Sequence, residues 1–192
     1  MQMTPFSNVD TAVVERVIRT RRTIQKFKPD PVGTDLIEQA IELARWAPNH
    51  KHTEPWHFHL IGAETAVKII ARNTEMVREQ KGDAAAANKH ARWSEIANWL
   101  AITCRKSDDA LRQQEDYAAC CCAAQNMVLF LWAHGVGMKW TTGPVIRDAA
   151  FFDLLMIQPD QEFVVGLYQY GIPAEIPPAT RSSMEKFFTR LP

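Results

Sequence analysis

Residues 16–28 read RVIRTRRTIQKFK and place a basic cluster at the point where an amphipathic helix ends. Six of these thirteen residues are lysine or arginine and none is acidic, whereas the whole chain has 22 basic and 22 acidic residues. Arg21, Arg22 and Thr23 combine two guanidinium groups with a hydroxyl, a set of donors that suits a phosphate. The alternative interpretation is a solvated basic surface, because cations are favoured at the end of a helix.

Hydrophobic spacing on both sides of this cluster predicts two helices. Asp10 is a suitable N-cap for a helix over residues 10–20, and Thr34 for a second helix that closes near Trp46. The basic residues outside the Arg21–Thr23 triplet belong to the surface in this interpretation. They are Arg16, Arg19, Lys26 and Lys28.

Residues 46–56 read WAPNHKHTEPW, and their two prolines and many hydrogen-bonding side chains predict a loop. Such loops often carry function, and this backbone is free to place donors along a planar ligand. The loop and the segment after it also contain two His-x-His pairs, His50 with His52 and His57 with His59. That spacing can bind a metal ion. Because Glu54 is the only acidic residue among them, we favour exposed histidines and predict no metal site.

The rest of the chain alternates between helical and extended patterns. We predict helical regions at 63–98, with a break near Gly82, at 111–134 and at 144–156, and extended segments at 56–61, 100–104, 136–141 and 162–170. The second half of the 111–134 helix has almost no polar face, which is typical of a helix buried on all sides, in part by a partner subunit. The proline-rich tail, residues 171–192, is expected to run over a surface.

Trp140 and Thr141 end an extended segment directly before a presumed helix start at Gly143. Free backbone N–H groups there, beside an indole and hydroxyl groups, suit an aromatic cofactor. Alternatively, Trp140 belongs to the core and the threonines cap the helix. In the tail, Arg181 is either a further phosphate ligand or a surface residue.

Composition limits the classes of function. A chain of 192 residues with 46% hydrophobic content predicts one domain over residues 1–192, and its zero net charge favours neither nucleic acid nor a membrane as partner. The apolar stretch at 117–133 is interrupted by polar residues and short for a membrane span. The first ten residues show no secretory signal, and Cys104 and Cys120–Cys122 lack disulfide-scaffold spacing, so we expect a cytoplasmic protein in which these cysteines are small buried residues.

Four motifs in order resemble the nitroreductase family of FMN-dependent oxidoreductases, most closely its small, compact subgroup. They are RTRRTIQKF at 19–27, ARWAPNHKHTEPWHFHL at 44–60, GVGMKWTTG at 135–143 and GLYQYGIPAE at 166–175. The resemblance implies an α+β three-layer sandwich, with a central antiparallel sheet wrapped by helices. It also implies a homodimer with FMN at the subunit interface.

The resemblance assigns a role to nine residues. Arg21, Arg22 and Thr23 would hold the FMN phosphate and the polar edge of the flavin, Arg181 would be a second phosphate ligand, Lys139, Trp140 and Thr141 would line the isoalloxazine ring, and Pro48 and His50 would approach from the partner subunit. The chain departs from its relatives at Gln25, where many have a basic residue, which would leave the cofactor one charge contact short. Glu54 and the absence of a Glu-Gly pair near Thr142 are further departures.

The implied activity is transfer of reducing equivalents from NADH or NADPH to an electron-poor acceptor, such as a nitroaromatic or a quinone. The cycle would be ping-pong, with the chemistry carried by the flavin and no dedicated acid or base residue. The alternatives are a flavin-dependent dehalogenase-like enzyme on the same fold, a flavin-binding sensor or storage protein without turnover, and a histidine-based metal protein.

Overall fold

A computed structural model describes residues 10–192, which are organised around a four-stranded antiparallel sheet. The strands are β1 (Trp56–Ile61), β2 (Asn98–Arg105), β3 (Gly137–Thr141) and β4 (Glu162–Gly171). Their spatial order is β1-β2-β4-β3, and each neighbouring pair is antiparallel. Residues 1–9, on which the prediction about a secretory signal rests, lie outside the described part.

Helices cover both faces of the sheet. They are α1 (Thr11–Thr20), α2 (Thr34–Ala44), α3 (Ala63–Lys81), α4 (Asp83–Ser94), α5 (Ala110–Ala133) and α6 (Ala149–Leu155), with short 3-10 turns at His50–His52, Pro144–Arg147 and Met184–Lys186. Of the helices described over residues 10–192, none has the length and apolar character needed to cross a membrane.

Alternation along β2 divides the core in two. Leu100 and Ile102 pack on one face against α2 and α5, whereas Trp99 and Ala101 pack on the other against α3 and α6. This confirms the predicted α+β architecture with a central antiparallel sheet between helical layers.

Some predicted details are wrong for local reasons. The predicted helix at 144–156 is interrupted at Asp148, whose backbone is extended (φ −84°, ψ 137°) so that its side chain caps α6. Thr34 is the first residue of α2 rather than its cap, which is Gly33.

The prediction of buried cysteines is wrong for one of them, and the predicted burial of α5 on all sides is not reached within one chain. Cys104 and Cys120 are buried, but Cys122 is exposed, because consecutive residues on a helix point in directions about 100° apart. Within this chain the second half of α5 is not buried on all sides. Gln125 is exposed and Val128 is half-buried, since β2 and α2 cover only one side of the helix.

Candidate cofactor site

The segment that follows α1 is held along the edge strand of the sheet. Thr23 forms a parallel bridge with Met138 of β3, and the Ile24 N–H donates to the Met138 carbonyl at 3.1 Å. Gly137 permits this approach, since a Cβ there would lie 2.3 Å from Cγ1 of the fully buried Ile24. The sequence therefore fixes the triplet Arg21–Thr23 beside β3.

Arginine side chains gather at this edge. Burial, followed by repulsion from Arg181 and Arg22, lowers the pKa of Arg21 below its ordinary value. Arg22 donates to two carbonyls near the end of α1, those of Arg19 and Arg21, at 2.7 and 2.9 Å. Within residues 10–192, none of the three clustered arginines has an acidic partner. Unpaired cations held close together form a site for an anion.

The other basic residues of the run behave as the sequence predicts. Arg19 pairs with Glu15 at 2.6 Å, and Lys26 pairs with Glu175 at 3.3 Å. Both pairs are largely exposed to solvent and belong to the surface.

A cavity of about 470 Å³ opens beside β3, between that strand and the α3–α4 hairpin. Lys139, Thr141 and Gly143 line it from the strand side, and Asn73 and Trp93 from the helices. The lining residues in the described part of the chain include no acidic side chain. The cavity is therefore electropositive.

Two polar atoms of the cavity wall lack partners. Thr141 Oγ1 and Asn73 Nδ2 are buried and make no hydrogen bond with any residue of the described chain. Leaving a buried polar group unsatisfied costs about 1–3 kcal/mol, so such groups are usually paired. Both atoms can donate, which suits a polar ligand with carbonyl or ring-nitrogen acceptors.

Lys139 connects the cavity to the arginine segment. Its Nζ donates to Gln25 Oε1 at 2.7 Å, and its pKa is lowered by burial and then by repulsion from Arg92 and Lys89. The family resemblance predicts that Gln25 leaves the cofactor one charge contact short. The Lys139 ammonium reaches Gln25 from β3, so a positive charge is present beside this position.

The structure does not bring Trp140 together with Lys139 and Thr141. Alternation along β3 turns the indole to the opposite face of the sheet, where its ring packs 5.3 Å from Tyr168 and its Nε1 donates to the Val165 carbonyl at 3.2 Å. Gly166 makes room for it, since a Cβ at that position would lie 2.0 Å from Trp140 Nε1. The side chain is thus placed away from the cavity.

Pro48 and His50 lie in an exposed loop with unusual backbone geometry. Lys51, His52 and Glu54 have φ values of 60°, 48° and 44°, which residues other than glycine rarely adopt. The Asn49 side chain stabilises this loop, because its Oδ1 accepts from the Glu54 N–H at 2.7 Å. Strained segments that the surroundings hold in place are concentrated at functional sites.

This loop and the arginine segment lie at opposite ends of α5. The loop contacts the start of the helix through a Thr53–Asp116 hydrogen bond, and α1 contacts its end through Trp132 Nε1 and Thr20 Oγ1 at 2.9 Å. Sixteen residues of helix separate Asp116 from Trp132, a rise of about 24 Å. Within one chain, Pro48 and His50 are therefore not brought to the arginine cluster.

Sequence reasoning named no individual site residue in α3 or α4, although both helices line the cavity. Asn73 belongs to the buried stripe of α3 together with Ile69 and Ile70. A polar residue at helical spacing within an apolar stripe is the signal that identifies it. Lys89 and Arg92 carry no such signal, because they look like ordinary surface cations until the fold turns them toward the cavity.

Comparisons with known proteins agree with this architecture. The model described as the nitroreductase family matches residues 18–172. The Bacillus subtilis (strain 168) protein YfhC, which carries the name of an NAD(P)H nitroreductase, is 28% identical over 170 residues, covering 86% of this chain and 87% of its own.

Solved structures give the same picture. A nitroreductase-like family protein from Bacillus cereus superposes with a TM-score of 0.81 at 25% identity, covering 98% of each chain. A Desulfovibrio desulfuricans protein described as a nitroreductase in complex with FMN superposes with a TM-score of 0.75 at 21% identity, covering 96% of this chain and 99% of its own.

Proposed function

This chain belongs to the nitroreductase family, and from that premise we propose that it binds FMN and passes reducing equivalents from NADH or NADPH to an electron-poor small molecule. The observation that carries the proposal is the pairing of two adjacent sites. An unpaired arginine cluster lies at one end of the 21–25 segment, and a cavity with two unpartnered buried polar atoms lies at the other. FMN has a phosphate for the first and a polar ring for the second, and the solved Desulfovibrio relative was crystallised with it.

Arg21, Arg22 and Thr23 would hold the phosphate, with Arg181 as a further ligand. Guanidinium groups bind phosphate oxygens through paired hydrogen bonds, and the Thr23 hydroxyl adds a neutral donor. The arginines repel one another, and a bound phosphate would offset this repulsion because it carries negative charge. This offset would contribute to the free energy of FMN binding.

Lys139 and Thr141, together with Asn73, would hold the ring. Thr141 and Asn73 would gain the hydrogen-bond partners that they lack, and the Lys139 ammonium would stabilise negative charge on the ring. When bound, FMN supplies the hydride chemistry, accepting from NAD(P)H and delivering to the acceptor in turn. The chain then orients the ring and excludes water, and no side chain need act as acid or base.

We propose further that the protein is a homodimer in which each site uses both chains. Val13, Val14 and Ile18 are exposed apolar residues of α1, a helix without a buried residue, and the outer side of α5 is only half-covered. A twofold axis that pairs α5 with its copy in antiparallel orientation would exchange the two ends of that helix. The partner's loop at 48–50 would then lie beside the arginine cluster of the first chain.

The absorbance spectrum of the purified protein is the primary test. We expect a yellow protein with flavin bands that takes up added FMN, and steady oxidation of NADH or NADPH when a quinone is supplied. Bound FMN without turnover would support the sensor or storage alternative. A colourless protein that fails to take up FMN would contradict the proposal altogether.

A further inference from the structure

The cavity beside β3 carries four cationic side chains, Lys81, Lys89, Arg92 and Lys139. Only Lys139 contacts the segment proposed to bind FMN, through Gln25. The other three belong to the α3–α4 hairpin and are not among the residues proposed above to hold FMN.

These hairpin cations have no acidic partner and repel one another, and Lys89 lies over the Trp93 ring at 5.4 Å. In the described part of the chain none of them forms a salt bridge, whereas nearby Arg78 pairs with Glu75 and Asp83. Burial, then repulsion from Arg92 and Lys81, lowers the pKa of Lys89. Cations that are gathered on a cavity wall without acids create a positive potential that favours an anion.

We propose that the α3–α4 hairpin binds the carboxylate of the electron acceptor, so that the acceptor class is an electron-poor aromatic acid. The inference rests on the proposed function and narrows its substrate. Arg92 offers a planar donor pair for a carboxylate, Lys89 adds a second positive charge, and Met76 and Trp93 give apolar contact for a ring. Reduction of a nitro group at the other end of such an acid would consume NAD(P)H and a proton, giving a nitroso group, NAD(P)⁺ and water.

A matched pair of acceptors tests this proposal. With NADH held saturating, KM is measured for 4-nitrobenzoate and for its uncharged methyl ester in the wild type and in a Lys89→Gln, Arg92→Gln double variant. We expect the wild type to have the lower KM for the acid, and the double variant to raise that KM about tenfold, as two partly solvated ion pairs would give. The KM for the ester should not change.

Lys68→Gln is the control, because Lys68 is an exposed residue of α3 that lines none of the described cavities. Added salt gives a second measurement on the wild type, and should raise the KM for the acid but not for the ester. Equal KM values for acid and ester would overturn this inference while leaving the proposed function intact. Failure to bind FMN or to reduce either acceptor would instead remove the proposed function.

A different cluster lies at the far edge of the sheet. His57 and His59 are alternate residues of β1, and Glu162 begins β4, on the same face across β2. One donor atom from each of these three residues lies within 4.8 Å of the other two, and His57 Nδ1 is 3.7 Å from Glu162 Oε1. The prediction of no metal site considered only Glu54 as an acidic ligand near the histidines. The sequence does not show that β4 brings Glu162 close to them.

Thr103 of β2 contacts two members of this cluster, His59 and Glu162. Its side chain is fully buried, its hydroxyl donates to Glu162, and its Oγ1 lies 3.2 Å from His59 Nε2. Hydrogen bonds of this kind commonly hold metal ligands in position. The hydroxyl binds Glu162 Oε2, whereas Oε1 is the oxygen near His57.

We infer that His57, His59 and Glu162 form a binding site for a divalent transition-metal ion, with Zn²⁺ as the best match. Two imidazoles and one carboxylate are a ligand set that zinc uses, with a water molecule in the fourth position. Ligand atoms around tetrahedral zinc are about 3.4 Å apart, close to the separation that His57 and Glu162 already have. A bound ion would join β1 directly to β4.

Zinc titration of EDTA-treated protein, followed by calorimetry and thermal unfolding, tests the site. We expect one Zn²⁺ per chain, a raised unfolding temperature, and no such effect from Mg²⁺, which requires oxygen ligands. His57→Gln and Glu162→Gln should each weaken binding at least tenfold. His90→Gln, at an exposed histidine of α4, should bind zinc like the wild type. Unchanged affinity in either site variant, or no zinc bound, would overturn the inference.

Discussion

The charges of Arg19 and Arg21 are equal, and their surroundings decide what each can do. Arg19 forms a solvent-exposed ion pair with Glu15. Arg21 is half-buried beside two further arginines and has no acidic partner. A cation in the second situation has lost part of its hydration and lacks a counterion, so an arriving phosphate meets less competition from water.

Replacing Arg21 and Arg22 together by alanine should therefore weaken FMN binding by about 100-fold or more, since each charged hydrogen bond contributes about 1.5–3 kcal/mol. Titration of FMN fluorescence measures this affinity. Arg19→Ala is the matched control and should bind FMN normally. Normal affinity in the double variant, with the fold verified by circular dichroism, would remove both arginines from the phosphate site.

The Lys139–Gln25 contact predicts that FMN affinity depends on a positive charge at this point, whichever of the two residues carries it. Lys139→Gln should weaken FMN binding about tenfold, as expected for one charged hydrogen bond. Adding Gln25→Lys to that variant should restore most of the affinity, because the side chain at position 25 would then place an ammonium group at the same contact. A double variant no better than Lys139→Gln would refute this compensation, and the four affinities form a double-mutant cycle.

At the scale of elements, β3 and the segment after α1 depend on each other. Gly137→Ala would place a methyl group 2.3 Å from Cγ1 of the buried Ile24 and push the Arg21–Thr23 triplet away from the strand. We expect a loss of about 1–3 kcal/mol in the free energy of unfolding, together with weaker FMN binding. Urea unfolding measures the first effect. Gly33→Ala, with no atom within 4 Å of the added Cβ, should change stability by about 1 kcal/mol or less.

An ion pair joins α3 to the N-cap residue of α6. Arg72 donates to both carboxylate oxygens of Asp148 at 2.9 and 2.7 Å, and this hydrogen bonding lowers the pKa of Asp148 below its ordinary value of 3.8. A lowered pKa in the folded state means that the carboxylate stabilises the fold above the unfolded pKa. That contribution is lost as the pH falls through the folded pKa.

Comparing the wild type with Asp148→Asn isolates this contribution, since asparagine can still cap α6. The difference in unfolding free energy should be constant above about pH 5 and shrink as the pH falls below 4. Asp148→Ala should cost about 1 kcal/mol more than Asp148→Asn at neutral pH, because it also removes the hydrogen bond to the Ala150 N–H. A difference that does not depend on pH would show that the ion pair contributes no net stability.

The elements were predictable to the extent that a local pattern defines them. Hydrophobic period predicted the strands and α5 within a few residues, but not the break at Asp148, whose side chain caps α6 and also pairs with Arg72, 76 residues away. The same limit applies to the site. Motif order predicted Lys139 and Thr141 as site residues, and both line the cavity, whereas Arg92 lines it only because α4 folds back over β3.

At the scale of the whole molecule, the main feature is that α5 separates the arginine cluster from the loop at 48–50. The arginine cluster and the loop at 48–50 lie at opposite ends of that helix, where they contact residues about 24 Å apart along its axis, yet both have features of a ligand site. A single chain has no means of using them together. A twofold dimer would bring the arginine cluster of each chain next to the 48–50 loop of the other chain. It would also cover the exposed apolar side chains of α1.

Mixed dimers test this arrangement without any knowledge of the interface. One chain carries Arg21→Ala and Arg22→Ala, and the other carries Pro48→Gly and His50→Ala. If each site takes its arginines from one chain and its loop from the partner, a mixed dimer contains one site with every residue intact and one site with both defects. Random pairing makes half of the dimers mixed, so about a quarter of all sites should recover FMN binding and NAD(P)H oxidation. Each variant alone should stay deficient in both. Sites built within single chains predict no recovery at all, because every site in the mixture would then retain a defect.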